Sequence, residues 1–203
     1  MLRRFRLTLT WTGFYGGQDK QESGSEEESV IHAHLGDSYD AVKRTWQELL
    51  VNWAPLHAER RFVPDDLQKD FTKLTRIPML PNHSPTSYSI LNDPDTGIRL
   101  PGERNQSEGR KHIRMKKIAA QLRNGSQCVV TFDQSTYRHS KLKRKEQLQA
   151  KMRWLANQGL HSFYYVSHAP FLFAFPDADA LQRVYCILKN AGIPQNRIEK
   201  LTS

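Results

Sequence analysis

The residues with the clearest chemical potential are Asp133 and the cations that follow it. Asp133 ends an apolar run at residues 128–132, and residues 138–145 then carry five Lys or Arg side chains. A carboxylate at the end of a strand can bind a divalent metal, or it can cap the turn that follows. Cations in a row suit the phosphates of a nucleic-acid backbone. Asp133 is therefore a candidate catalytic residue beside a candidate phosphate-binding segment.

Positive charge is concentrated in one part of the chain. The net charge is +9, and residues 103–153 hold fourteen Lys and Arg against four Asp and Glu, so the remainder is close to neutral. A localised cationic band is typical of proteins with a polyanionic partner, although a solvated, solubilising surface is the alternative. The predicted phosphate contacts are Arg110, Lys111, Arg114, Lys117, Arg138, Lys141, Lys143, Arg144, Lys145 and Lys151.

Aromatic residues follow the cationic band and offer a second mode of nucleic-acid binding. Six Phe or Tyr side chains lie at residues 163–165 and 171–175. Bases stack on exposed rings of RNA-binding sheets. Strand alternation exposes only one set on each face, so most of these rings are expected in the core. We expect Tyr137 and Tyr164 to be exposed and to bind nucleic acid.

His32 and His34 are one residue apart, on the same face of a strand predicted at residues 30–35. Imidazoles placed in this way can bind a metal ion, although surface histidines on an edge strand are the simpler interpretation. They form a second candidate catalytic site.

The elements that position these residues form an α+β fold. Residues 127–201 are predicted to follow the order β-α-β-β-α-β, which is the split βαβ or ferredoxin-like unit. The apolar periodicity of its two helices supports this order. Asp177 is suited to cap the second helix, and Gly159 and Gly192 are suited to end the two helices. Its strands are predicted at residues 128–132, 163–166, 171–175 and 197–201.

The N-terminal part is predicted to be a lobe of strands and helices at residues 1–109, with residues 110–203 forming the basic helix and the ferredoxin-like module. Alternating apolar residues predict a strand at 4–11, and 18–29 form an acidic loop. Helices are expected at 39–53, with Ser38 as the cap, and from Pro64 onward, with Leu67, Phe71 and Leu74 pointing inward. Residues 78–106 contain five prolines and are predicted to be a long irregular connection. Whether the N-terminal strands join the C-terminal sheet is left open.

Two resemblances follow from these motifs. An apolar strand ending in Phe132-Asp133 ahead of a β-α-β-β-α-β module resembles the small nucleases of CRISPR adaptation and the related virulence-associated ribonucleases. That resemblance implies metal-dependent phosphodiester cleavage at Asp133. The His32-Ala33-His34 pair is similar to the metal-binding pair of rolling-circle and relaxase nucleases, although no Tyr-x-x-Lys motif follows it.

Composition limits the remaining classes of function. No apolar run approaches the roughly 18 residues of a membrane helix, so we expect no membrane partner. The two cysteines, Cys128 and Cys186, fall in predicted core elements and indicate a reducing, cytoplasmic compartment. No Cys/His array indicates zinc, and we expect no cofactor, save a divalent metal if the protein is a nuclease.

The sequence therefore favours a nucleic-acid-binding protein, with RNA or single-stranded DNA as the preferred partner, acting through its basic band in a larger nucleoprotein complex. A metal-dependent nuclease using Asp133 or the His32/His34 pair is the enzymatic alternative. A third possibility is a non-enzymatic assembly subunit that meets other protein subunits.

Overall fold

The computed structural model describes residues 35–83, 85–100, 109–135 and 142–202. Contacts group Leu35–Ser203 into one compact unit. Within the described residues, six strands form one mixed sheet, two more form a small parallel pair, and five α-helices surround them. The fold is therefore α+β, as predicted.

The main sheet has the strand order β1-β2-β5-β7-β6-β8, and β3 pairs with β4. The strands are β1 (Leu56–Ala58), β2 (Ser89–Asn92), β3 (Gly97–Ile98), β4 (His112–Ile113), β5 (Cys128–Phe132), β6 (His161–Tyr165), β7 (Phe171–Phe175) and β8 (Ile198–Lys200). The helices are α1 (Ser38–Leu50), α2 (Gln68–Thr75), α3 (Met115–Arg123), α4 (Arg144–Ala156) and α5 (Ala178–Asn190).

Strand direction changes at the centre of the main sheet. β1, β2 and β5 are parallel, whereas β7 is antiparallel to both β5 and β6, and β8 is antiparallel to β6. The three parallel strands therefore end at the same side of the sheet, where Glu59, Asp93 and Asp133 follow them. We call this side the carboxyl edge.

Helices cover both faces of the main sheet. On one face, α3 and α4 contribute Ile118, Leu122, Met152 and Leu155 to an apolar cluster with alternate residues of the strands. On the other, residues of α1 and α5, together with Phe71 of α2, pack on a second apolar cluster. Because side chains alternate along a strand, the central strand β5 contributes to both clusters.

Several predicted element ends are confirmed. Between residues 127 and 201 the helices and strands occur in the predicted order. Asp177 caps α5 by accepting a hydrogen bond from the Ala180 backbone N–H at 2.8 Å. Gly159 and Gly192 have positive φ values of 74° and 81°, the left-handed conformation that closes a helix.

Two local predictions are wrong. Asp37, one residue earlier than predicted, caps α1 by accepting from the Tyr39 and Asp40 backbone N–H groups. Leu74 of α2 does not point inward, since 39% of its surface is exposed.

The sequence prediction missed β1 and β2. β2 lies inside residues 78–106, which were predicted to be irregular, and all four of its residues are buried. It hydrogen-bonds to β1 on one side and β5 on the other, so residues from both sides of position 109 share one sheet. Beyond β1, Ala58 forms a bridge with Met79, which covers that edge of the sheet. The strand predicted at residues 4–11, the acidic loop at 18–29 and all but the last residue of the strand predicted at 30–35 lie outside the described residues. Leu35, the last residue of that strand, lies in a turn.

The two cysteines differ in environment. Cys128 is buried in β5, and burial raises the pKa of its thiol well above the ordinary value. Cys186 of α5 is exposed, so the prediction that it lies in the core is wrong. None of the helices in the described ranges is long and apolar enough to cross a membrane.

Candidate nucleic-acid interface and the buried Asp133 centre

Helices α3 and α4 lie side by side on the same face of the sheet. The Arg123 guanidinium at the end of α3 donates to the Gln158 side chain just after α4, at 3.2 Å. The fold thereby joins two cationic segments that are separate in the sequence. We call their solvent-facing cations the basic helix surface, which comprises Arg110, Lys111, Arg114, Lys116, Lys117, Arg123, Lys143, Arg144, Lys145 and Arg153.

Among the described residues, few carboxylates lie near this surface. The exposed Asp95 lies at its start, where its backbone N–H donates to the Arg110 carbonyl at 3.3 Å. Glu146 accepts from the Lys143 backbone N–H at 2.6 Å. Glu199 lies 3.3 Å from the Lys145 ammonium, and Glu59 lies 3.9 Å from that of Lys117. The surface therefore keeps a marked excess of positive charge.

The first turns of α3 and α4 are cationic, although a helix N-terminus carries partial positive charge. Arg114 and Lys143 occupy the N-cap positions, and further Lys or Arg residues follow within the first turn of each helix. The first turn of α3 holds no acid, whereas that of α4 also holds Glu146, which caps the helix as the ordinary rule predicts. Each such charge disfavours the helix by about 0.3–1 kcal/mol when exposed at low ionic strength. The helices on the opposite face follow the ordinary rule, since α1 and α5 begin with Asp37 and Asp177. Cations at the positive end of a helix dipole are expected where a function, such as binding of an anion, requires them.

Asp133 lies at the carboxyl edge and is the centre of a buried hydrogen-bond network. Its Oδ2 accepts from the Lys151 ammonium and from the Tyr164 hydroxyl, each at 2.7 Å. Its Oδ1 accepts from the Ile98 backbone N–H at 2.9 Å, and from both the backbone N–H and the hydroxyl of Ser135. Five donors thus surround one carboxylate. A buried carboxylate requires compensation of this kind.

Lys151 and Tyr164 were predicted to contact nucleic acid, and Tyr164 was expected to be exposed. Both side chains are fully buried, so the predicted exposure is wrong. The Lys151 ammonium also donates to the Ser135 hydroxyl at 2.9 Å. Burial raises the pKa of Tyr164 well above its ordinary value, and the negative charge of Asp133 and the hydrogen bond to it add to the effect. Both residues support Asp133 rather than a ligand.

The arrangement around Asp133 does not fit a metal site. The groups that contact its carboxylate are all hydrogen-bond donors, and one of them is a cation, whereas a divalent metal requires further oxygen or nitrogen ligands. Among the residues described, no group of three His, Cys, Asp or Glu side chains can hold a metal ion. The structure thus assigns Asp133 to the fold. His32, His34, Arg138, Lys141 and Tyr137 lie outside the described residues.

Gly97 allows the network to close. It has a φ of +133°, and a Cβ atom at this position would lie 2.8 Å from the Cα of Asp133 and 3.0 Å from the Ser135 backbone nitrogen. Only glycine adopts this conformation and leaves room for the Asp133 backbone. The Ser135 hydroxyl oxygen also lies 2.7 Å from the Ile98 carbonyl oxygen, so its single proton is shared between this carbonyl and Asp133, and the contact joins β3 to the end of β5.

A second buried polar group lies under α3. Asn92 of β2 and Gln121 of α3 exchange two side-chain hydrogen bonds, at 2.8 and 2.9 Å. Asn92 also donates to the Thr131 hydroxyl at 3.2 Å, and Gln121 donates to Glu59 at 3.0 Å. The sequence prediction missed this group because β2 itself was missed. It ties α3, and hence half of the basic helix surface, to the sheet.

Lys43 of α1 lies between two carboxylates on the other face of the sheet. Its ammonium is 2.5 Å from Asp93 and 2.9 Å from Asp40. Burial alone would lower the pKa of Lys43, but the two negative charges outweigh it and raise that pKa. Loss of hydration raises the pKa of Asp93 in spite of Lys43. One positive charge thus lies between two carboxylates, and the hydrogen bond from Lys43 to Asp93 holds α1 to the end of β2.

Comparison with known proteins assigns the chain to no family, since no family model, curated protein or solved structure matches it.

Proposed function

We propose that this protein binds nucleic acid through phosphate contacts made by the basic helix surface. The observation that carries the proposal is that α3 and α4 bring two cationic segments together on one face, with few carboxylates between them. Neutralising phosphates with Lys and Arg releases condensed counterions, which is the main source of sequence-independent affinity.

The charges at the helix starts also support this proposal. Arg114, Lys116 and Lys117 surround the first turn of α3, and Lys143, Arg144 and Lys145 surround that of α4. In the absence of an anion, each cation opposes the helix dipole. A phosphate near these turns would interact favourably with both the side chains and the dipole.

The fold of residues 127–201 is compatible with a relationship to the ferredoxin-like unit. β7 lies between β5 and β6 and is antiparallel to both, as in a split βαβ arrangement. The position beside β5 is occupied by β2, however, and β8 lies beside β6. We propose the relationship for the β5-α4-β6-β7 part.

The test compares two variants of equal charge. The first replaces Lys116, Arg123, Arg144 and Arg153 with Ala, and all four are exposed on α3 or α4. The control replaces Lys69, Lys73, Arg183 and Lys189 with Ala, which are exposed on α2 or α5. Affinity for a fluorescent duplex and for a fluorescent single strand is measured against salt concentration.

We expect the first variant to weaken binding and to reduce the slope of log K against log salt by about three to four on B-form DNA. The control variant should bind like the parent protein. Equal effects of the two variants would show that binding depends on net charge and not on the basic helix surface. Absence of binding by the parent protein would overturn the proposal. Binding to an acidic protein, but to no oligonucleotide, would favour the assembly-subunit alternative.

A further inference from the structure

We infer that the basic helix surface takes double-stranded rather than single-stranded nucleic acid. The inference rests on the proposed function and concerns the form of the ligand. It reverses the preference that the aromatic residues of the sequence suggested.

Binding of single strands by a sheet requires exposed rings on which bases stack. The aromatic residues of β6 and β7 do not supply them. Phe163, Phe171, Phe173 and Phe175 are fully buried on the face that carries α1 and α5, and Tyr164 is buried on the other. Tyr165 packs edge-on against Trp46 at 4.9 Å between ring centroids. Because helices cover both faces, the sheet offers no stacking platform.

In the described part of the chain, the basic helix surface itself also lacks an exposed ring. Helix α3 contains no aromatic residue, and α4 contains one, Trp154. Trp154 is partly buried and packs on the apolar cluster beneath the helices. Besides the cations, the exposed side chains on and beside these helices are those of Asn124, Leu142, Glu146, Ala156, Asn157 and Gln158. None of them is aromatic, so none can stack on a base.

The dimensions suit a duplex. Helices of 9 and 13 residues are roughly 14 and 20 Å long, and packed helices lie about 8–10 Å apart. Over about 20 Å, B-form DNA presents on the order of ten phosphate charges, counting both strands. That charge density matches a surface with cations on two adjacent helices, and the contacts are to the backbone rather than to bases.

The experiment measures binding of the full chain by fluorescence anisotropy at about 0.15 M salt. The probes are a DNA duplex of about 24 base pairs, an RNA duplex of the same length and an unstructured single-stranded DNA of about 48 nucleotides, so that phosphate number is matched. We expect at least one duplex to bind ten-fold or more tightly than the single strand. Comparison of the DNA duplex with the RNA duplex shows which helical form the surface prefers.

Trp154→Leu provides the second measurement. One stacked base contributes about 1–3 kcal/mol, so loss of a stacking ring would weaken single-strand binding by roughly five-fold or more. We expect less than a two-fold change with each probe. A single strand that binds as tightly as the better duplex, or a selective loss of single-strand binding in Trp154→Leu, overturns the inference while the proposed function survives. Binding of none of the three probes refutes the proposed function itself.

Discussion

Replacing Lys151 with Met tests whether the Asp133 network is structural. Lys151 and Asp133 are both completely inaccessible to solvent, and 2.7 Å separates the ammonium from the carboxylate. Met has a similar length but no charge. The substitution therefore leaves the Asp133 carboxylate buried with the donors from Ile98, Ser135 and Tyr164 only.

Removing one partner of a buried ion pair costs about 3–5 kcal/mol, because the remaining charge is uncompensated. A domain of this size loses about 2–4 °C in melting temperature per kcal/mol. We therefore expect Lys151→Met to lower the melting temperature by roughly 6–20 °C, as followed by circular dichroism, with a parallel shift of the urea midpoint.

The matched control is Lys145→Met in the same helix. Lys145 pairs with Glu199, but 68% of its side chain is exposed, so the substitution should cost less than about 1 kcal/mol. The double variant Asp133→Asn with Lys151→Met removes both charges and should cost less than the sum of the two single variants. Strict additivity in this cycle, or a Lys151→Met variant as stable as Lys145→Met, would refute the structural assignment.

Two further predictions concern the same centre. Because the pKa of Tyr164 is raised in the native state, the native state keeps a proton that the unfolded state releases above about pH 10. The free energy of unfolding is therefore unaffected below that pH and falls above it by up to about 1.4 kcal/mol per pH unit. Tyr164→Phe should lower the free energy of unfolding at neutral pH by about 1.5–3 kcal/mol, and it should reduce the fall of that free energy above about pH 10, as measured by urea titrations. An unchanged dependence on pH would contradict the role given to Tyr164. Gly97→Ala should destabilise the fold far more than Gly125→Ala, because Gly125 also has a positive φ (+100°) but a Cβ there meets nothing within 4 Å. Equal melting temperatures for the two variants would show that the backbone at Asp133 can move aside.

The C-terminal half could be predicted from the sequence because its signals are local. The runs at Cys128–Phe132 and Phe171–Phe175 are long and apolar, and the ends of α4 and α5 carry glycine at the required positions. β1 and β2 have no such signal. β2 reads Ser-Ile-Leu-Asn, and both polar ends are buried. Asn92 is satisfied by Gln121 and Thr131, which lie far away in the sequence, whereas the Ser89 hydroxyl has no hydrogen-bond partner within the ranges that the structure describes.

Part of the network around Asp133 could have been predicted from the sequence. Lys151 lies three residues after Leu148 and four before Leu155, within the apolar stripe of α4. A lysine in such a stripe must be buried and requires a buried acid. Asp133 was the available carboxylate, but its pairing with Tyr164 and with the turn at Gly97 depends on strand order, which periodicity does not determine.

The position of β5 between β2 and β7 has a consequence for folding during synthesis. β5 is buried along its whole length and apolar apart from Thr131, and Val130 pairs with Leu91 on one side and with Phe173 on the other. As the chain leaves the ribosome, β5 emerges well before β7, and its second edge stays unpaired until Phe175 has been made. Unpaired apolar strands are prone to aggregation, and non-local pairing folds slowly. The strongly charged segment that follows β5 lies between β5 and β7 in the sequence. Its charges repel other copies of the chain and so oppose aggregation through the unpaired edge of β5, which has no charged residue of its own.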